Sequence, residues 1–328
     1  MSKDCCSSNC SIVIRPHVLL CTVCYRGGCK NPLAGEKIVK DVLEKIWNNK
    51  ETMITLQCDI KPTYYKELPN SKTLYSGEEL QSLKRDLDVL QRLGLTPGTT
   101  LPAWYIYTLL LKRIPKIEGI CKYQSTSSKE WRGCPHAEEG FYEKAQKAGL
   151  KLFIPIRSRE EMQKAKEESV KEIYTSRRLF IRPHHLMCIV CFYGRGASSP
   201  LEQDNLYEVL KRIQSDPDIP ITLVEGCDII CPPCPSYNPK THLCDNVCGL
   251  IRDYKKDLDV LQRLDLLPGT TMKAKELYSL LFERIASAME ICGYGDGIER
   301  SYEWAICGNV HSKYYEKGRE KWFYKEKQ

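Results

Sequence analysis

Arg, Pro, His and two Cys recur at identical spacing in two stretches of this chain, Ile14-Arg-Pro-His-Val-Leu-Leu-Cys-Thr-Val-Cys24 and Ile181-Arg-Pro-His-His-Leu-Met-Cys-Ile-Val-Cys191. Thiols and imidazoles held at fixed offsets inside an apolar element suit a soft-metal site, where donors must converge and be shielded from water. A core strand with incidental small cysteines would need only the apolar positions, since free Cys is often buried for packing alone. The other cysteines decide between these readings, because the chain carries 18 Cys in 328 residues.

Matching the two halves pairs Cys21 with Cys188, Cys24 with Cys191, Cys58 with Cys227, Cys121 with Cys292 and Cys134 with Cys307. Such dispersed thiols are how a cluster is clasped inside a folded domain, and four thiolates complete an iron–sulphur cluster with one to spare. The second half adds Cys231-Pro-Pro-Cys234 and Cys244-Asp-Asn-Val-Cys248, expected to serve one further site. That local set suits tetrahedral zinc or a four-iron cluster. The surrounding shared cysteines favour iron–sulphur, with two to three [4Fe–4S] clusters as the expectation and zinc as the alternative. The first half has no cysteine in the matching segment Lys61-Pro-Thr-Tyr-Tyr65, and keeps Cys5, Cys6, Cys10 and Cys29 either for a different cluster or as mobile thiols.

Arg182-Pro-His184-His185 precedes Cys188, so an imidazole should stand near the thiols. Neighbouring residues on a strand point to opposite faces, so one of the two is expected to meet the site as ligand or acid–base group. His184, matched by His17, is the expected one, with Arg182 as an anion contact. A neutral core histidine bonded to backbone is the competing reading for His17.

The elements that must position these groups read as α+β. The repeated stretch reads as a buried strand or strand-turn, with the Arg-Pro-His strands central. A helix follows over Ala34 to Trp47, then short strands ending in Cys58-Asp59 and Cys227-Asp228. The closest match between the halves is Asp86-Leu-Asp-Val-Leu-Gln-Arg-Leu93 with Asp257-Leu-Asp-Val-Leu-Gln-Arg-Leu264, each followed by Pro-Gly-Thr-Thr and another helix. It reads as core and lobe interface. The expected architecture is two lobes related by an approximate two-fold from an internal duplication, short strands with amphipathic helices, and cysteine-rich loops clasping metal clusters. Residues 1–156 form the first, degenerate lobe, 157–176 an exposed helix joining the halves, and 177–328 the second lobe.

Met1 to Cys10 has no apolar stretch of signal-peptide type, and no apolar run approaches membrane-spanning length. The expectation is a cytoplasmic protein without membrane contact, where dense cysteine points to metal or redox chemistry. The formal charge of +7 would suggest nucleic acid, but thiolate-bound clusters of about −2 each offset most of it. Lys and Arg are also spread along helices, so nucleic acid is not the expected partner.

Arg-Pro-His-His-Leu-x-Cys, Gly194-Arg-Gly196-Ala-Ser198, Cys227-Asp-Ile-Ile-Cys231-Pro-Pro-Cys234-Pro and Cys244 resemble an uncharacterised prokaryotic domain family described as candidate iron–sulphur binding proteins. The resemblance covers most of the second half. The first half shares only Arg15-Pro-His17, Cys21 and later positions. The chain departs from the family pattern at Ala197, where the family has Tyr, at Cys227-Asp-Ile-Ile-Cys231, and at Cys191, which is additional. The resemblance implies metal binding and leaves activity open.

Without nucleotide-binding glycine motifs, the expected role is electron transfer to or from a redox partner such as a ferredoxin or an oxidoreductase. The alternatives are an enzyme with an open cluster served by His184 or His185, and a zinc-binding interaction module.

Overall fold

The computed structural model describes residues 11–58, 77–123, 131 and 133–323. Cys5, Cys6, Cys10, Asp59 and the Lys61–Tyr65 segment lie outside them. The chain is mixed α+β and divides into two units, Met1–Ile156 and Arg157–Gln328.

The first unit begins with β1 (Ser11–Ile14), whose Ile12 and Ile14 face inward while Val13 faces solvent, the period-two pattern of a strand buried on one side. The expected strand ends there. Arg15 stays extended (φ −72°, ψ 141°) and Pro16 opens helix α1 (Pro16–Arg26). Proline is pre-organised at the first helical position, and its missing N–H is one that a helix start would leave unpaired anyway. The motif is thus a strand, a cap and a helix, which corrects the strand reading: Cys21 and Cys24 stand three residues apart on one helix face.

α2 (Glu36–Asn48) then leads to β2 (Met53–Leu56), which pairs parallel with β1, a geometry that requires such a helical crossover. α3 (Gly77–Leu93) precedes β3 (Thr100–Pro102), antiparallel to β2. The Arg-Pro-His strand is therefore at the sheet edge and β2 is central, the reverse of expectation. α4 (Ala103–Arg113) and α5 (Phe141–Ala148) complete the unit. α1 is buried from Pro16 to Val23 and has α2, α3 and α5 packed against it, so the motif's helix is the hub. The α1–α5 approach needs a glycine: a Cβ at Gly27 would sit 1.8 Å from the Phe141 carbonyl oxygen.

The second unit opens with α6 (Arg159–Thr175), started by a Ser158–Glu161 capping box. Most of this expected helix is exposed. α6 packs on α8 and buries Ser169 and Ile173, a narrow face hidden in the Glu/Lys-rich composition. β4 (Leu179–Ile181) and α7 (Pro183–Gly194) repeat the strand, extended Arg182 and Pro-initiated helix. α8 (Leu206–Ser215) and β5 (Pro220–Leu223) follow, then a small hairpin of β6 (Tyr237–Asn238) and β7 (Leu243–Cys244). A π-helical turn, Cys248–Asp253, runs into α9 (Tyr254–Leu264). β8 (Thr271–Lys273), α10 (Ala274–Arg284), α11 (Met289–Cys292) and α12 (Tyr314–Glu320) close the unit. β5 lies between parallel β4 and antiparallel β8. α12 lies against α7, where a Cβ on Gly194 would fall 1.9 Å from the Tyr314 carbonyl oxygen.

Candidate metal centres

Each thiol-bearing helix is fixed at its start by an aspartate from a distant helix. Asp257 of α9 accepts from Arg182 Nε (2.9 Å), Arg182 Nη2 (2.6 Å), the His184 backbone N–H (3.0 Å) and His184 Nδ1 (2.7 Å). Asp86 of α3 accepts from Arg15 Nε (2.7 Å), the His17 backbone N–H (2.9 Å) and His17 Nδ1 (2.7 Å). A helix start leaves backbone N–H groups without partners, and here a carboxylate remote in sequence takes one, together with the flanking side chains. Because an ionised carboxylate only accepts, Nδ1 carries the ring proton. Burial acts against the charge on Asp257, but His184 and Arg182 outweigh it and hold the carboxyl below its ordinary range. Burial also keeps His184 on its neutral side, against the pull of Asp257. His184, His17 and Arg182 are thus committed to these aspartates as positioning groups.

In the first unit, Cys21 and Cys24 of α1, Cys29 from the turn after it, and Cys121 and Cys134 from the loops beyond α4 line one cavity with Arg85 and His136. It encloses about 360 Å³ of atom-free space, part of it opening to solvent. The Cys134 N–H donates to the Cys121 carbonyl at 2.8 Å, which ties the two loop cysteines together. Burial pushes the Cys21 and Cys121 thiols up to about 12, and Cys24 further, with neighbouring thiols adding to the effect. Such thiols keep their protons at neutral pH unless a metal replaces them. Arg85 is 1 % exposed, and its three guanidinium nitrogens find no hydrogen-bond partner among the described residues. A buried cation beside neutral thiols is costly; beside metal-bound thiolates it is compensated. Cys58 is buried just past β2 and is not among the residues lining this cavity.

The second unit holds two thiol groups. Cys188 and Cys191 of α7 face Cys292 at the end of α11 and Cys307 in the following loop, where the Cys307 N–H donates to the Cys292 carbonyl at 3.1 Å. Hydrogen bonding from Cys292 draws the Cys307 thiol down and drives the Cys292 thiol up, and burial raises Cys188. Lys256, 2 % exposed, stands among them at the position that Arg85 holds before its aspartate.

The other group corrects the expected local set. Cys227 joins Cys231, Cys234 and Cys244, whereas Cys248 turns away and donates to the Tyr302 carbonyl at 3.0 Å. The chain enters a π-helical turn at Cys248, and the next residue, Gly249, packs so closely on the group that a Cβ there would meet Cys244 Sγ at 2.3 Å. Arg157 holds the ligand loop by donating to the carbonyls of Pro232 and Cys234, both at 2.7 Å. Beside this group, buried Asp228 accepts from the Arg182 backbone N–H (2.9 Å), His185 Nδ1 (2.8 Å) and Cys231 Sγ (3.3 Å). Burial opposes its charge, but His185 and Arg182 prevail and bring it down to about 2. His185, Asp228 and Cys231 present ligand atoms within 4.8 Å of one another. Of the two histidines, His185 is the one at a thiol group. On a helix start the pair is not split between opposite faces: the rings meet edge to face at 4.6 Å.

Asp86, Asp257, Arg85, Lys256 and the role of Asp228 escape motif reading. The available signal was the octapeptide shared by the halves, which begins at the two aspartates and is preceded by the two cations.

Residues 203–296 match the family model described as Protein of unknown function (DUF1284).

The DUF1284 segment runs from just before α8 to just after α11 and carries Cys227, Cys231, Cys234, Cys244, Cys248 and Cys292. It lies wholly in the second unit and begins after the Arg-Pro-His-His stretch. No curated protein and no solved structure matches the chain. No helix among the described residues is long and apolar enough to cross a membrane.

Proposed function

We propose that the protein is an iron–sulphur protein with up to three clusters, transferring electrons to or from a partner such as a ferredoxin or an oxidoreductase in the cytoplasm. The observation that carries the reading is Arg85: a buried guanidinium with no hydrogen-bond acceptor of its own among the described residues, sharing a cavity with five cysteines, calls for an anionic occupant. Thiolate-bound iron–sulphur clusters are anionic, and when bound they supply one-electron chemistry. In the first unit Cys21, Cys24, Cys121 and Cys134 would hold one. In the second, Cys188, Cys191, Cys292 and Cys307 would hold its counterpart, and Cys227, Cys231, Cys234 and Cys244 an additional one.

Spacing argues against zinc. Four sulphurs at 2.3 Å from one ion lie about 3.8 Å apart. Among the described residues no three cysteines bring their sulphurs within 4.8 Å of one another. A multi-iron core spreads its ligands wider. The repeated strand, extended Arg, Pro-started helix and aspartate anchor support an internal duplication, with the DUF1284 segment inside the more complete copy.

A second reading, an enzyme with an open cluster position, is favoured by His185 alone. Its Asp228 partner fixes the ring beside Cys231, where it could serve as an acid–base group or a ligand. Anaerobic purification followed by metal analysis, acid-labile sulphide and EPR tests both. Iron with sulphide supports a cluster protein, and colourless protein with zinc overturns it. EPR changes on adding small anions or thiols, lost in His185→Ala, would select the enzyme.

A further inference from the structure

We propose that Cys29 is a fifth, interchangeable ligand at the first-unit site, able to take the place of Cys134; this deepens the cluster reading and rests on it. Cys29 is 2 % exposed and lines the same cavity as Cys21, Cys24, Cys121, Cys134 and the buried Arg85. Its placement is built in. The chain leaves α1 through Gly28 in the left-handed region (φ +115°), where a side chain would be strained, and the Cys29 N–H returns to the Cys24 carbonyl at 3.0 Å. That turn brings the sulphur back to the helix face carrying Cys21 and Cys24.

Cys134 shares the cavity with Cys29 and is the more exposed of the two, arriving on a loop, so it is the ligand most readily exchanged. A four-iron cluster closes on four thiolates. Five thiols around one cavity therefore leave one over, and the one left over stays within reach of the site. The second unit has no such reserve, because its matching turn is Gly194-Arg195-Gly196 and the Cys188, Cys191, Cys292, Cys307 group has four members.

The exchange balances: the Cys29 sulphur gives up its proton as it bonds iron, the Cys134 sulphur takes one up as its bond breaks, and no electron changes hands. The consequence is a first-unit site that survives loss of one ligand, by mutation or oxidation, where the second-unit counterpart does not.

The experiment measures iron and acid-labile sulphide per chain in anaerobically purified full-length protein. The variants are Cys29→Ser, Cys134→Ser, Cys29→Ser/Cys134→Ser and Cys307→Ser, each checked for folding by circular dichroism. Both first-unit single variants are expected to keep wild-type iron, while the double variant and Cys307→Ser each lose about four irons per chain. If the double variant fails to fold, Cys134→Ser against Cys307→Ser still decides. Equal losses in those two single variants, or full iron in a folded double variant, would overturn the inference and leave the cluster reading standing. Wild-type protein without iron and sulphide would overturn both.

Discussion

Asp257 ties the start of the second unit's thiol-bearing helix α7 to α9, and replacing it with alanine tests that anchoring quantitatively. The substitution removes the acceptor for two Arg182 contacts and two His184 contacts. Arg182 is 5 % exposed at its side chain and cannot rehydrate without opening the unit. Breaking a buried pair by deleting one partner costs about 3–5 kcal/mol. In a unit of this size each kcal/mol moves the midpoint by about 2–4 °C, so thermal unfolding should fall by about 6–20 °C. Asp86→Ala is the internal control. Arg15 is 37 % exposed and recovers water when freed, so the first unit should lose about half as much. Because the folded state holds the Asp257 carboxyl below its ordinary value, its contribution is present above about pH 4 and is lost as pH falls through that lower value. The gap between wild type and Asp257→Ala should accordingly narrow in acid. Circular dichroism melts from pH 7 down to 3 on anaerobically purified protein read all three outcomes. A shift below about 3 °C at neutral pH, or equal shifts for Asp86→Ala and Asp257→Ala, would refute the anchoring argument.

Three other outcomes follow from the same geometry. Cys234→Ser should lose one cluster's worth of iron and Cys248→Ser none, measured as iron per chain; equal losses would return Cys248 to the ligand set. Gly194→Ala should destabilise the second unit by about 1–3 kcal/mol, because its Cβ would meet Tyr314 backbone that cannot yield as a flexible side chain would; an unchanged denaturant midpoint would contradict the close helix contact. Arg85→Met should lower the reduction potential of the first-unit cluster by removing a buried positive charge, and redox titration followed by EPR would show it; an unmoved midpoint would mean that Arg85 does not face the cluster.

The mixed α+β class, the amphipathic helices and the cysteine inventory were legible in the chain because each rests on local periodicity or composition. The secondary structure of the Arg-Pro-His stretch was misread because a short apolar run is ambiguous between strand and buried helix. Pro16 and Pro183, each following an extended arginine, were the signals for a helix start. The role of the octapeptide was missed for a different reason. Its Leu and Val positions explain themselves as packing, so the two leading aspartates drew no separate reading, although they are fully buried. Only tertiary structure shows that their partners lie about 70 residues earlier in sequence.

The replacement of Cys248 by Cys227 in the local thiol group shows how a site is divided between scaffold and loop. Cys227 lies four residues beyond β5, the sheet's central strand, with its N–H donating to the His242 carbonyl at 3.2 Å, and Cys244 ends the β6–β7 hairpin, so both are fixed by hydrogen-bonded backbone. Cys231 and Cys234 sit on a tight turn in which the Cys234 N–H donates to the Cys231 carbonyl at 2.8 Å, and Arg157 clamps the far side. Spacing in sequence made Cys248 the natural fourth member, but its thiol is taken by the Tyr302 carbonyl where the chain turns into α9. The first unit has the same strand and helix geometry around its own thiols and adds Cys29 from a glycine turn. On the cluster reading, each unit would combine two thiols from one helix with thiols brought by its loops, the arrangement expected when function is varied on a fold whose core must stay fixed.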